Sequence, residues 1–565
     1  MKRTLLLLTC GFAFQLGIAQ ELPKWAAKAK KSVFSVITYT ADNKILNTGN
    51  GFYIDESGTA VSDYTLFKGA DHAVVVTADG KELPVTSILG ANDMYDVIKF
   101  QTAVNKKAEA LQPASQGAKT GETVYLLPYS TQKATTGPNG TVARVDTISN
   151  SFYYTLNMQT SDKTVSCPVM NSNGEVIGLI QKNADAESKE SYAIGIGYAK
   201  DLSINALSGN DYALNSIGIK KGLPSDESQA LVYLYVSSSQ KTPEEYLTLL
   251  NDFISQYPNN AEGYLRRATF YLSTDDSSKT PLAEEDIKHM FEVSENQAEA
   301  HYNFAKLLYN YNIGLGDKQG YANWNLDKAL EEINQALATD KQGLYYQVQG
   351  DIYFALQKYA EAAASYEALS QTPVGSASSY YSAAKAKELM TEPNYEEIIA
   401  LMDSAVAKYP QPYGQEAAAF LFERGRFKAA AGKHREAVTD YTDFYDAMLG
   451  QVNAEFYYVR EQSEIQGRMY QQAINDINKA VELEPKNVEY WVEKGGVHMR
   501  VNQIDEAIKA LQQALSLDNQ SAAAYRMLGY CQIQQNKKKE GLANLQKAKE
   551  LGDTVAEGLI QKYNK

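Results

Sequence analysis

The pattern of apolar and polar positions divides the chain into two parts of different character. From Ser32 to about Ser208, apolar residues alternate or occur in short runs between turns of Gly, Asn and Asp. Runs of this kind occupy residues 33–37, 73–76, 123–127 and 175–180. Many short strands separated by turn residues, without a sustained helical period, predict an all-β barrel or sandwich.

Beyond this part the apolar positions follow a helical period, in a sequence rich in Ala, Glu, Lys, Gln, Leu and Tyr. The last units repeat at a spacing of 34 residues. The aligned columns are Tyr457, Trp491 and Tyr525; Ala473, Ala507 and Gly541; Ile477, Leu511 and Leu545; Ala480, Ala514 and Ala548. This period matches the tetratricopeptide repeat, in which each unit is a pair of helices.

Less regular units precede these three. One contains Tyr346, Gly350 and Tyr366, another contains Gly425 and Tyr441, and looser units begin near Tyr264, Tyr302 and Tyr380. Gly495 and Gly529 occupy the position where the two helices of a unit cross closely, which requires a small residue, whereas Glu461 departs from this pattern. We expect about eight helical pairs over residues 229–565, with the aromatic residues packing between helices.

The N-terminus has the order of a secretory signal: Lys2-Arg3, an apolar run, and small residues ending at Ala19. We therefore predict a signal peptide at residues 1–19 and an exported protein of the periplasm or cell envelope of a Gram-negative bacterium, with outer-membrane association or secretion left open. The apolar run is shorter than the ~20 residues of a membrane-spanning helix, and no later segment supplies one. Cys10 is a weak alternative as a lipid-attachment site, because the residues before it fit poorly.

Charge and composition narrow the class of partner. The formal net charge is -14, and no run of Lys or Arg is long enough to follow phosphates, so nucleic acid and anionic membranes are not expected partners. The expected partners are proteins or peptides. The five histidines show no metal-ligand spacing, and we expect no metal or cofactor. The segment 213–228 is rich in turn formers and charges and predicts a linker.

Residues 48–71, TGNGFYIDESGTAVSDYTLFKGAD, resemble the start of the exported trypsin-like serine proteases of the high-temperature-requirement type. In that family a T-G-S-G-F-I-I-D strand leads through a Gly turn into T-N-x-H-V-V-x-G-A-D. Aligning Gly58 and Gly69-Ala70-Asp71 without a gap places Thr65 where the family has its general-base histidine. The resemblance implies a trypsin-like double barrel over residues 20–212, without this histidine.

The same resemblance extends to the region of the catalytic aspartate. GANDMYDVIKF, residues 90–100, resembles G-x-D-x-x-x-D-L-A-V-L, and the spacing from Gly90 assigns Asp96 to the catalytic aspartate; counting back from Lys99 would instead place Met94 there. Without a histidine to orient, we expect Asp96 to be a structural hydrogen-bond acceptor. His72, the one histidine of this domain, follows the Gly-Ala-Asp motif and is expected on the next strand, exposed or at an edge.

The nucleophile region is TSDKTVSCPVMNSNGEVIGLI, residues 160–180, in which Pro168, Asn171 and Gly174 fix the register against the family's P-L-x-N-x-x-G-E-V-I-G-I. Where the family has G-N-S-G-G, this chain has the run 163–167, KTVSC, so Val165 takes the serine position and the glycines of the oxyanion turn are missing. A shift of one residue would bring Ser166 to that position, and Cys167 is a further alternative. Neither has a base, so we expect no covalent mechanism, and Cys167 to be a small buried apolar residue.

These observations predict a multidomain fold, an all-β trypsin-like double barrel followed by an all-α tetratricopeptide solenoid. The preferred function is a non-catalytic protein-interaction scaffold of a bacterial cell envelope, with a pseudoprotease domain. One alternative is an active peptidase with a rearranged site that uses Ser166 or Cys167. Another alternative is a periplasmic holdase or assembly factor. The chain has 40 tyrosines among 565 residues, and their rings would supply contact area for client proteins.

Overall fold

The computed structural model describes residues 20–131, 136–148, 150–185, 187–274, 276–316 and 318–564. The predicted signal peptide, 1–19, and Cys10 lie outside these ranges. The chain forms two compact units, of which the first extends to Ser273 and the second begins at Thr274. Within the described ranges, every helix is too short or too polar to span a membrane.

The strands all belong to the first unit and pair antiparallel. They are β1 (Gln20–Glu21), β2 (Val33–Tyr39), β3 (Ile45–Tyr53), β4 (Thr59–Ser62), β5 (His72–Val76), β6 (Glu82–Asn92), β7 (Val97–Thr102), β8 (Thr123–Leu126), β9 (Thr136–Gly137), β10 (Asn139–Ile148), β11 (Ser151–Asn157), β12 (Pro168–Met170), β13 (Val176–Ile180) and β14 (Ser191–Gly195). The four apolar runs named above all contribute strands, as predicted.

Twelve of these strands close into two six-stranded barrels, one in the order β2-β3-β4-β7-β6-β5 and the other β10-β11-β14-β13-β12-β8. Side chains alternate as a half-buried strand requires: in β2, Phe34, Val36 and Thr38 are buried, while Ser35 and Ile37 between them are less so. A shared apolar cluster joins the barrels and includes Phe52 and Val97 from the first and Met170 and Ile194 from the second. The loops that meet at this junction hold the candidate site.

The helices of the first unit are α1 (Ala26–Ala29), α2 (Tyr64–Phe67), α3 (Ile196–Asp201), α4 (Tyr212–Asn215), α5 (Glu227–Ser237), α6 (Pro243–Gln256) and α7 (Ala261–Ser273). The segment predicted as a linker, 213–228, is built into this unit. Leu214, Ile217 and Ile219 are buried in one cluster with the first barrel, and Leu234 of α5 and Phe253 of α6 belong to it as well. Burial of these apolar side chains outweighs the turn-forming composition between them.

The second unit is helical. Its helices are α8 (Thr280–Val293), α9 (Gln297–Leu315), α10 (Leu326–Thr339), α11 (Gly343–Ala355), α12 (Tyr359–Ser370), α13 (Ala377–Glu388), α14 (Tyr395–Val406), α15 (Gln415–Ala430), α16 (His434–Ala447), α17 (Ala454–Gln466), α18 (Tyr470–Leu483), α19 (Val488–Arg500), α20 (Ile504–Leu517), α21 (Ala522–Gln534), α22 (Lys538–Glu550) and α23 (Thr554–Tyr563). From α9 to α22, each odd-numbered helix packs closely on the even-numbered helix that follows it, and α13 packs equally closely on α12 before it.

The 34-residue spacing has structural counterparts at both ends of the first helix of each late repeat. Asn453, Asn487 and Ser521 cap α17, α19 and α21, each accepting a hydrogen bond from a backbone N–H of the first turn. The turn after each of these helices contains a residue in the left-handed region, at Arg468, Asn502 and Asn536. The caps and turns therefore recur at the same 34-residue spacing as the core positions.

The small positions lie where the helices of a pair cross. A Cβ atom added to Gly495 would lie 2.7 Å from Cδ2 of Leu511, and one on Gly350 would lie 2.5 Å from Cε1 of Tyr366. Glu461 occupies the corresponding place in α17 and is fully buried. The predicted fold class, a trypsin-like double barrel followed by a tetratricopeptide solenoid, is confirmed.

Candidate functional site

The structure brings together two of the residues placed at the triad positions. Thr65 lies in α2, exposed, directly after the buried end of β4. Its backbone N–H donates a hydrogen bond of 2.7 Å to Oδ1 of Asp96, in the turn before β7. Met94, the other residue considered for the aspartate position, is 78% exposed. Asp96 therefore acts as a hydrogen-bond acceptor for the backbone that carries Thr65.

Asp63 is a buried carboxyl at this site that the sequence reasoning missed. It follows β4, is 2% exposed, and its Oδ1 has no hydrogen-bond partner among the described residues. Burial raises the pKa of Asp63 well above its usual range, the charge of Asp96 raises it further, and the hydroxyl of Ser166 acts in the opposite direction. The site thus holds two carboxyl groups whose mutual repulsion favours the neutral form of Asp63.

The loop that replaces the nucleophile turn encloses its reactive side chains. Ser166 is fully buried, at φ +64°, and its Oγ has no hydrogen-bond partner in the described chain. Its backbone N–H donates to the carbonyl of Ile180 at 3.1 Å, and the N–H of Cys167 donates to the carbonyl of Thr164 at 3.3 Å. These two donors are directed into the fold and are not available to an oxyanion. Val165, at the serine position, is half-buried.

Cys167 lies in the core of the second barrel, with Leu126 and Val169 in the same apolar cluster. Burial, and secondly the charge of Asp63, raise the pKa of its thiol well above the usual range. Because the thiolate is the nucleophilic form, this environment makes the sulfur less reactive than a free cysteine.

Asn50 of β3 holds this loop against the first barrel. Its Nδ2 donates to the carbonyls of Lys163 at 3.1 Å and Val165 at 2.8 Å, and its Oδ1 accepts from the N–H of Tyr129 at 3.1 Å. One amide thereby binds two segments of the second-barrel region. The loop is fixed by carbonyl groups that face Asn50, where a trypsin-like site would direct N–H groups toward the substrate.

His72 lies apart from this cluster. It is the first residue of β5, its ring stacks on Tyr39 with centroids 4.9 Å apart, and its Nδ1 is 3.1 Å from Oδ2 of Asp71. Its side chain is 41% exposed. The imidazole therefore contacts Tyr39 and Asp71 at the start of β5.

The cluster brings Thr65, Asp96, Val165, Ser166 and Cys167 to one junction, together with Asp63 and Asn50. The contacts of its carboxyl, hydroxyl and thiol groups in the described ranges include no imidazole, and no group of three potential metal ligands occurs in them. A signal for Asp63 was available: it takes the place of the asparagine in the family's T-N-x-H, beside the apolar strand end. Asn50 gave no such signal, because its partners are far away in sequence.

Comparisons with known proteins find matches to separate segments of the chain. Residues 49–179 match the family model "Trypsin-like peptidase domain", and residues 466–548 match "Anaphase-promoting complex, cyclosome, subunit 3". The "Small glutamine-rich tetratricopeptide repeat-containing protein 2" of Saccharomyces cerevisiae is 28% identical over 95 residues, which cover 17% of this chain and 28% of that relative. The active form of the Rv3671c protease from M. tuberculosis matches with a TM-score of 0.28 and 19% identity, over 32% of this chain and 82% of that one. The chain thus joins an N-terminal trypsin-like peptidase domain to C-terminal helical repeats of the tetratricopeptide type.

Proposed function

We propose that this protein is a non-catalytic interaction protein of a bacterial cell envelope, in which a pseudoprotease domain is joined to a solenoid that binds protein partners. The observation that carries the proposal is the state of the residues at the nucleophile position. Ser166 and Cys167 are both fully buried, and none of their contacts among the described residues is an imidazole. An acyl-transfer nucleophile needs a base within hydrogen-bond reach and a surface open to substrate, and neither residue meets these requirements.

The envelope location rests on the predicted signal peptide, and the choice of protein partners rests on the repeats, which commonly mediate protein–protein interaction. The acidic net charge of -14 supports partners other than nucleic acid. In this proposal the barrels serve as a folded module whose surface, rather than its former active site, is used.

The solenoid offers a specific place for such a partner. An apolar cleft of about 460 Å³ opens between α13, α15, α16 and α17, lined by aromatic rings that include Tyr381, Phe420 and Phe444. Glu455 is exposed at its edge. We expect this cleft to take the apolar side chains of a partner segment that also carries Lys or Arg, because aromatic walls supply contact area and the acidic edge favours cations.

The test is gentle crosslinking and affinity isolation of the full chain from the native envelope, with two matched variants. Val459 lines the cleft, and Val459→Glu should abolish recovery of the partner by placing a charge against its apolar side chains. Val555, at the start of α23, is 58% exposed and outside the cleft, so Val555→Glu should leave recovery unchanged. Equal recovery with both variants, or no reproducible partner for the unmodified chain, would contradict the proposal.

A further inference from the structure

A second cavity, of about 790 Å³, lies entirely in the first unit and plays no part in the proposed function. One wall is the segment 208–221, which follows the barrels, and the other is formed by the end of α5 and the start of α6. The first wall is held in place by β6, since the N–H of Ile88 donates to the carbonyl of Lys220 at 2.8 Å. The volume is within the range of about 300 to 1,000 Å³ typical of small-molecule sites.

Three lysines line this cavity, and one of them is paired. Nζ of Lys220 lies 2.7 Å from the carboxylate of Asp252. Lys221 instead donates from Nζ to the backbone carbonyls of Ile217 and Ile219, and no carboxylate pairs with it among the described residues. Two neutral acceptors therefore replace the anion that a half-buried ammonium group usually has.

Lys241 adds a second positive charge to the same space. Burial, and secondly the charge of Lys241, lower the pKa of Lys221 to about 8. The charge of Lys241 acts on Glu245, but the carboxylate of Glu245 already accepts the N–H of Thr242 at 3.0 Å in the capping box of α6. An anion bound between the two ammonium groups would relieve their repulsion.

Ser237 and Tyr233 of α5 bring two hydroxyl groups to the wall of this cavity. Ser237 lines the cavity, is 1% exposed, and its Oγ has no hydrogen-bond partner in the described chain. Leaving a buried hydroxyl without a partner costs about 1 to 3 kcal/mol. Tyr233, one turn earlier in α5, also lines the cavity; burial raises the pKa of its phenol, and the neighbouring hydroxyl of Ser237 acts in the opposite direction. Together these groups offer hydroxyl donors beside two ammonium groups.

The charges decide the class of anion. The cavity is lined by three lysines and two acids, Glu245 and Asp252, so its formal charge is +1. We propose that this cavity binds a carboxylate group, from a small organic acid or from the C-terminus of a peptide, held by Lys221 and Lys241 with the hydroxyl of Ser237. A carboxylate neutralises the net charge, whereas a phosphate dianion would exceed it and face the two acids.

The test measures binding of defined probes to the full chain by isothermal titration: propionate, an N-acetylated tripeptide with a free C-terminus, the same peptide as its C-terminal amide, and inorganic phosphate. Saturable binding of propionate supports an organic acid, and binding of the free peptide alone supports a peptide C-terminus. Equal binding of the amide, preferred binding of phosphate, or no saturable binding of any probe overturns the proposal.

Variants identify the site. Loss of one charge-assisted hydrogen bond corresponds to a fall in affinity of about tenfold or more, which we expect for Lys241→Met. Ser237→Ala should weaken binding several-fold. Lys119→Met, at an exposed lysine of the same unit, should bind as the unmodified chain does. Lys221→Met removes two bonds to the backbone, so its folding is checked by circular dichroism, and Lys241→Met and Ser237→Ala decide the outcome if it fails to fold. Unchanged affinity in both of these variants would place any binding elsewhere.

Discussion

Replacing Glu461 by glutamine should remove part of the pH dependence of folding. Glu461 occupies the place in α17 that Gly495 holds in α19, and its carboxyl is fully buried. Its Oε2 accepts a hydrogen bond of 2.7 Å from Nε2 of Gln462, while Oε1 has no partner in the described chain. Burial, followed by the charge of Glu493, raises the pKa of Glu461 to about 8. Glu464 in the same helix reaches about 8 through burial and the charge of Asp476.

The sign and size of the effect follow from these values. A rise from the ordinary 4.5 to about 8 means that the folded state keeps a proton that the unfolded chain releases. The stabilisation is fully present below the unfolded pKa and is lost as pH rises through the folded pKa, so the free energy of unfolding falls between about pH 4.5 and pH 8. At about 1.4 kcal/mol per pKa unit the full effect is about 4 to 5 kcal/mol for one carboxyl, as an upper bound.

Urea unfolding of the full chain, followed by circular dichroism at about pH 5 and about pH 8.5, measures this difference. Glutamine is neutral at both values, so Glu461→Gln should match the unmodified chain within about 1 kcal/mol at the lower pH and exceed it by about 2 to 4 kcal/mol at the higher one. The matched control is Glu482→Gln in α18, whose carboxylate is exposed and pairs with Lys479, and it should leave the pH dependence unchanged. Equal pH dependence for Glu461→Gln and the unmodified chain would refute the reasoning.

Two further predictions concern packing and the barrel junction. Gly495→Ala should lower the free energy of unfolding by about 1 to 3 kcal/mol, because its Cβ would lie 2.7 Å from Leu511. Gly496→Ala, whose nearest neighbouring atom is 3.7 Å away, should raise the free energy of unfolding by about 0.5 to 1 kcal/mol through helix propensity. Thermal unfolding of the two variants compares them directly, and equal shifts would contradict the crossing geometry. Asn50→Ala should destabilise the barrels by about 2 to 4 kcal/mol, because two carbonyls and one N–H lose their hydrogen-bond partner. Faster amide hydrogen exchange around Tyr129 would report this loss. Unchanged exchange there would contradict the role given to Asn50.

The fold could be predicted largely from the sequence, because it rests on local periods. The alternation of apolar and polar residues in 33–37 identifies one strand. The aligned positions spaced 34 residues apart identify one helical pair and its neighbour. The resemblance assigned Thr65 and Asp96 to two positions of the triad, and the hydrogen bond between them is a finding of the structure. The burial of Asp63 and the bonds of Asn50 depend instead on chain segments that meet only in the folded barrels.

The segment 213–228 is a second case in which contacts between distant segments could not be predicted from the sequence. Its turn formers and charges are what a linker would have, and the few apolar residues among them, such as Ile217 and Ile219, carry no period. Their burial depends on the first barrel presenting an apolar surface to receive them, which only the tertiary structure determines. The cavity beside Lys221 was missed for this reason, since that segment forms one of its walls.

Covalent probes applied to the folded full chain test the proposal that the trypsin-like domain is not an active protease. A fluorophosphonate and iodoacetamide are applied separately, labelled residues are identified by mass spectrometry, and an unstructured protein is added to detect cleavage. We expect no labelling of Ser166 or Cys167 and no cleavage, because both side chains are buried and lack a base. Selective labelling of either residue together with cleavage of the substrate would contradict it.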